Sequence, residues 1–254
     1  MQRRQSRVWQ QDLAYDITLG SADAVIDDLT IYRKWLVLPS YRIVGLAKHA
    51  TASIHNDGPT PFATEPKRSD ANDLRELPTG EQIFGGIPFE IVDPAVNAGK
   101  SLVMLHGKQN PQMPRQVEIP VQATFRTAYF LGASANTMRA VNLVIDVRYE
   151  DGSFESIPLH GREELCEWWE PRGSDSAFVA WEGKNPIQDR VGLCCFEWEN
   201  RRPRSKVDYM KLSDSGNSTT PWIAASTSRA CICPARTFRS CILTGSPRRD
   251  RITF

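Results

Sequence analysis

The side chains with most chemical potential fall in one short stretch, where Trp168 and Trp169 stand among Glu163, Glu164, Glu167 and Glu170, with Trp181 a little further on. An indole offers a flat apolar face that stacks on the C–H face of a sugar while its N–H remains free to donate. Adjacent tryptophans on a strand or loop point different ways, so one of the pair is expected at the surface. Large aromatics in β-rich domains also fill cores, so each indole has a purely structural reading beside the functional one. Trp168, Trp169, Trp181 and Glu170 are the candidate ligand-binding residues. Two of the carboxylates at a glycosidase separation would act as acid and base. Four acids in eight residues also make an ordinary solvated face, and nothing adjacent in sequence would raise one pKa selectively. No catalytic residue is assigned, and the chemistry implied is weak, non-covalent recognition of a polysaccharide or other glycan.

Other reactive residues are scattered. His49, His55, His106 and His160 lie far apart, without a metal-binding H-x-x-x-H spacing. Cys166, Cys194 and Cys195, and further on Cys231, Cys233 and Cys241, lack paired C-x-x-C spacing, so neither a zinc site nor a disulfide framework is indicated. Cys194 and Cys195 are neighbours on an expected strand and point to opposite faces, which puts one of them in the core. Asp93 and Asn97 in Asp93-Pro94-Ala95-Val96-Asn97 carry oxygens of the kind a structural Ca²⁺ prefers. Asp-Pro is equally a turn opener, and no cofactor is called for. Asn217-Ser218-Thr219 fits a glycosylation sequon. There is no nucleophile elbow, phosphate loop or dinucleotide fingerprint, which removes the usual support for hydrolase, kinase and dehydrogenase activities.

The elements that must position these residues are strands. Ile87, Phe89 and Ile91 alternate with other residues, Leu102 to Leu105 is a continuous apolar run, and Val117, Ile119 and Val121 alternate again. Asp151-Gly152 signals a two-residue hairpin turn within Val141 to Leu159, a register that sets Tyr149 opposite Phe154 and Arg148 opposite Glu155. Further strands are expected at Phe178 to Trp181, Gly192 to Trp198, Val207 to Leu212 and Trp222 to Thr227, and a helical turn only at Arg162 to Trp169. The fold class is all-β, a jelly roll or β-sandwich.

The sandwich is assigned to residues 74–227. Residues 39–73, rich in Pro, Asn, Asp and Gly, read as a linker, and residues 1–38 as a short β fragment. After Thr227 the alternation stops, and residues 228–254 read as a basic disordered tail or as sequence translated out of frame. That tail holds most of a charge asymmetry, since Arg229 to Phe254 has six arginines against Asp250 while the whole chain has a net charge of +1. A tail without Lys or repeated spacing behind a mildly acidic domain gives no case for nucleic-acid binding.

At 254 residues the core needs no metal or disulfide to fold. No apolar run approaches the eighteen or so residues of a membrane span, so membrane insertion is not expected. Residues 1–11 lack the apolar stretch of a secretory signal. The chain is then cytosolic or a piece of a longer exported protein.

Several motifs together carry a family likeness. They are Leu77-Pro78-Thr79-Gly80 leading into Phe84-Gly85-Gly86-Ile87-Pro88-Phe89, then Asp93-Pro94-Ala95 with Asn97-Ala98-Gly99-Lys100-Ser101, Ile119-Pro120-Val121 and Ala128-Tyr129-Phe130-Leu131. Tyr149-Glu150-Asp151-Gly152, Ile157-Pro158-Leu159, Trp168-Trp169, Val179-Ala180-Trp181 and Trp198-Glu199-Asn200 continue the series. In that order they resemble the galactose-binding-like jelly-roll modules, akin to carbohydrate-binding modules, of bacterial polysaccharide-degrading and surface proteins. Arg201 departs from the pattern, which usually has Pro there. Upstream, Ile26-Asp27-Asp28-Leu29-Thr30-Ile31-Tyr32-Arg33 resembles the closing strand of a laminin-G or concanavalin-like lectin domain. The resemblance implies a non-catalytic carbohydrate-binding or accessory module of a larger extracellular or periplasmic protein. The alternatives are a structural or protein-docking domain without a sugar ligand, and part of a glycan-active hydrolase.

Overall fold

The computed structural model describes residues 5–10, 13–18, 40–56, 71–108, 110–136, 138–216 and 220–229. Strands β1 (Gln5–Gln10) and β2 (Leu13–Thr18) pair antiparallel with each other. The remaining strands are β3 (Tyr41–Val44), β4 (Gly80–Phe84), β5 (Ile87–Ile91), β6 (Val103–Met104), β7 (Gln116–Ala123) and β8 (Thr127–Ala135). They continue with β9 (Val141–Tyr149), β10 (Phe154–His160), β11 (Ala177–Gly183), β12 (Val191–Glu199), β13 (Val207–Asp214) and β14 (Thr220–Arg229). One sheet runs β10-β9-β13-β7 and the other β11-β12-β8-β14-β3, with β6 also beside β14. The protein is an all-β sandwich of antiparallel sheets around one shared core.

The two sheets differ in burial, and the difference follows from what covers them. In β7 only Ile119 and Val121 are fully buried while Gln116, Glu118, Pro120 and Gln122 face solvent, the period-two signature of a sheet packed on one side. In β8 every residue is buried, and in β14 every residue but the last. The six-stranded sheet is covered twice, by the four-stranded sheet on one face and by the β4–β5 hairpin on the other. Thr227 Oγ1 on β14 donates to the Pro88 carbonyl of β5 at 2.5 Å. Phe178 on β11 lies so close to Gly85 that a Cβ there would sit 2.5 Å from its ring. Cys194 and Cys195 do point to opposite faces, yet both are buried, because neither face of this sheet is open.

Two boundaries differ from the sequence reading. The stretch assigned to a linker contains β3, an edge strand paired with β14 at Ser226↔Val44 and Arg229↔Tyr41. Leu46, Ala52 and Ile54 then enter the core. Their strand-like residues are masked in sequence by Pro and Asn around them. At the other end β14 runs through Ser228 and Arg229, two residues into the expected tail. The sequence after Arg229, the Asn217-Ser218-Thr219 sequon and the lectin-like acidic-pair strand lie outside the described residues.

The β9–β10 hairpin is slipped by one residue. Phe154 pairs with Arg148 and Glu155 with Val147, because the turn spans Glu150 to Ser153 rather than two residues. Tyr149 N–H bonds the Ser153 carbonyl at 2.9 Å, Gly152 takes φ 83°, and Asp151 Oδ1 accepts from Ser153 N–H at 3.0 Å. An Asx-type lock thus lengthens the loop. The Arg148 guanidinium now lies 4.0 Å over the Phe154 ring. Tyr149 turns inward instead, and its hydroxyl donates to Asn200 Oδ1 at 2.7 Å.

Candidate functional site

Residues 161–173, between β10 and β11, form no helix, contrary to expectation; they are a chain of turns and single bridges pressed into one end of the sandwich. Its anchors are backbone groups of the six-stranded sheet. Ser134 N–H donates to the Cys166 carbonyl at 3.0 Å, Trp168 N–H to the Ser134 carbonyl at 3.2 Å, and Gly192 N–H to the Trp168 carbonyl at 2.8 Å. The segment therefore bridges β8 and β12, satisfying main-chain groups that the sheet leaves unpaired there. Gly192 permits the approach, since a Cβ on it would lie 2.5 Å from the Trp181 carbonyl oxygen and 2.9 Å from Pro171 Cγ.

At the tip is a turn closed by Glu170 N–H to the Glu167 carbonyl at 3.2 Å, with Trp168 and Trp169 at its centre. The backbone reversal sends the two indoles apart. Trp168 is 0% exposed and meets Trp222 edge-on at 6.5 Å. Trp169 is partly exposed and stands edge-to-face on Trp168 at 5.7 Å. Trp168 is thus a core residue and cannot stack on a ligand, which corrects one of the sequence candidates. An apolar end of the sandwich needs a plug, and this indole supplies it.

Beside the turn opens a cleft of about 210 Å3 lined by Arg139, Arg162, Arg172, Cys166, Glu167 and Glu170. Glu170 is exposed and forms an ion pair with Arg172, while Glu167 is only 8% exposed. The four acids do not act as one group. Glu164 Oε2 accepts from the His160 backbone N–H at 2.8 Å and lies 3.3 Å from its Nδ1, so it is turned away to close the loop. The neighbouring Cys194 thiol, together with burial, pushes the Cys166 thiol pKa well up, and the Cys194 thiol itself donates to the Arg172 carbonyl at 3.6 Å. Cys166 is thus not poised as a nucleophile.

Trp181 does not join this site. It pairs with Leu193 across β11–β12 on the face opposite Gly192 and Pro171. There its indole folds back over Gly183, close to the Glu76 carboxylate that accepts from Lys184 N–H at 3.0 Å. The Asp93 and Asn97 polar groups are used in the loop itself. Asp93 Oδ1 accepts from Ala95 N–H at 2.8 Å, and Asn97 Nδ2 donates to the carbonyls of Ala47 at 2.9 Å and Lys100 at 3.0 Å. Both serve as turn locks. Among the described residues no group of three or more His, Cys, Asp or Glu is placed to hold a metal ion. Of the sequence candidates the structure leaves Glu170 in the lining of the cleft, with three arginines added to it, and Trp169 next to it in the chain, packed on the core rather than lining the cleft. Arg162 and Arg172 flank the tryptophans in sequence, but nothing in spacing ties Arg139 to them.

No protein-family model and no curated protein matches this chain.

Proposed function

We propose that the sandwich is a non-catalytic carbohydrate-binding module of the galactose-binding-like kind, carried by a larger exported protein and holding it against polysaccharide. The observation that supports this reading best is the Glu167–Glu170 turn, which buries one indole as a wedge, leaves the next partly exposed, and contributes its two glutamates to the lining of a polar cleft. A rigidly backed, partly exposed indole loses little entropy on meeting a sugar face, and nearby charged and amide groups supply orientation. At about 210 Å3 the cleft is smaller than a drug-sized pocket of roughly 300–1,000 Å3. It has room for about one sugar ring, which fits weak recognition of one unit in a longer chain.

Retention on polysaccharide columns and titration against a glycan array test this directly. The folded protein binds at least one glycan, and Trp169→Ala loses that binding while Trp181→Ala retains it. Failure of a folded sample to bind any glycan overturns the proposal. A structural domain without ligand is the second reading, favoured by the internal uses of Trp168 and Trp181. It requires that no glycan perturbs the tryptophan fluorescence.

A further inference from the structure

We infer that the cleft beside Trp169 selects an anionic sugar, one bearing a carboxylate or a sulfate ester, and that Arg139 and Arg162 are the groups that read its charge. The inference rests on the glycan-binding reading above and adds the substrate class.

The argument begins with the end of the β9–β10 pair. His160 pairs with Val141, and the next step outward is Gly161 N–H to the Ala140 carbonyl at 3.0 Å. This carries Arg139 and Arg162 onto facing chain ends that line the same cleft. Both are exposed, and neither has an ion-pair partner among the described residues. Like charges set opposite each other across a strand pair repel, so this placement costs the free protein and is relieved when an anion lies between them.

Arg162 also holds φ 66°, a left-handed conformation that a branched-chain-sized side chain adopts only where its surroundings impose it. Its N–H bonds the Leu165 carbonyl at 2.7 Å, which fixes the turn and aims the residue at the cleft. The third arginine, Arg172, is already neutralised by Glu170. Three guanidiniums against two carboxylates leave the lining with one excess positive charge. Guanidinium forks match the two oxygens of a carboxylate or the oxygens of a sulfate.

The test uses the full chain and four probes by isothermal titration. These are oligogalacturonate, the same oligomer methyl-esterified, and dextran sulfate compared with dextran. The expected result is binding of the acidic oligomer that weakens as salt rises, with methyl esterification costing roughly ten-fold or more in affinity. Arg139→Gln and Arg162→Gly each lower affinity roughly five-fold or more, the glycine variant also relieving the left-handed backbone so that loss of fold does not confound it. Arg126→Gln, which removes an exposed arginine paired with Glu199 on another part of the surface, has no such effect. Dextran sulfate bound in place of galacturonate supports the same inference with a sulfate ester as the group read. Equal binding of acid and ester overturns the anionic selectivity while leaving the glycan reading intact. An equal loss in Arg126→Gln shows unspecific charge attraction and overturns the assignment to Arg139 and Arg162. Absence of binding to every glycan overturns both.

Discussion

Replacing each of the adjacent tryptophans with alanine separates a wedge from a binding surface. Trp168 is 0% exposed. An indole buries ~150–250 Å2, which at ~25 cal/mol per Å2 corresponds to about 4–6 kcal/mol. The unfolded chain already hides part of that area, and the walls around Trp222 and Trp169 relax partly into the hole, so the expected loss for Trp168→Ala is about 3–5 kcal/mol. Trp169 keeps part of its ring in water and its edge-to-face contact with Trp168 at 5.7 Å. Its removal is expected to cost about 1–2 kcal/mol. Urea unfolding followed by far-ultraviolet circular dichroism measures both without relying on the fluorescence that the substitutions remove. Glycan retention is then assayed on samples shown to be folded. Trp169→Ala should abolish retention at small stability cost, and Trp168→Ala should lower the urea midpoint severely. A Trp168→Ala loss below about 1 kcal/mol, or a Trp169→Ala protein that still binds its glycan normally, would refute the division of labour between them.

Four further outcomes follow from the geometry. Burial alone would raise the Asp146 carboxyl pKa, but hydrogen bonds from Ser156 Oγ at 2.5 Å and Lys211 Nζ at 3.2 Å, with the charges of Lys211 and Arg148, hold it below its ordinary value. A pKa lowered by folding contributes stability that is complete above the unfolded value and disappears as pH falls through the folded one. The urea midpoint should therefore fall as pH drops through and below the ordinary carboxylate range, and less steeply in Asp146→Asn; equal slopes count against it. Asn200→Ala removes the acceptor of Tyr149 O–H at 2.7 Å and Arg202 N–H at 2.8 Å and the donor to the Phe125 carbonyl at 2.9 Å. Equilibrium unfolding should show a loss of about 2–4 kcal/mol, and Tyr149→Phe on top of it should add almost nothing. Burial, then the nearby Glu197 and Cys194, push the Cys195 thiol up to about 12. Peptide mapping after iodoacetamide treatment near neutral pH should find Cys195 and Cys166 unmodified until urea is added; rapid native labelling of either contradicts the structure. Gly192→Ala should cost about 1–3 kcal/mol, because its Cβ would press on the Trp181 carbonyl and Pro171, and an unchanged urea midpoint would show the loop to be loosely held.

Strands that pack on one side were readable from alternation, as β5 and β7 demonstrate. So were β12, β13 and β14, although β14 is continuously buried. The run Ala128 to Leu131 in β8 drew notice only through a family likeness. The β3 strand was hidden by its short length and by the Pro and Asn that follow it. A one-residue slip in the β9–β10 hairpin came from taking Asp151-Gly152 as the whole turn, when the Asp151 carboxylate holds a longer loop. At the candidate site, Trp169 and Glu170 were visible as types in a row. Which of two neighbouring indoles turns inward depends on the Glu170-to-Glu167 hydrogen bond and on Ser134 of a distant strand, and adjacency cannot report that. Arg139 was invisible for a similar reason, being brought to Arg162 by pairing between chain ends rather than by spacing.

The position of β14 in the middle of its sheet constrains how a newly made chain can mature. The strand lies between β8 and β3, and Ser228 Oγ reaches the Arg42 carbonyl across 186 positions. Until β14 has been made, β8 has an open edge of unpaired backbone N–H and C=O groups between faces of largely apolar side chains, and β3 has no partner strand. Closure of such distant pairs is slow, and open apolar edges invite association between nascent chains. Closure of this sheet therefore waits for β14, the last strand among the described residues, however early β8 and β3 are made.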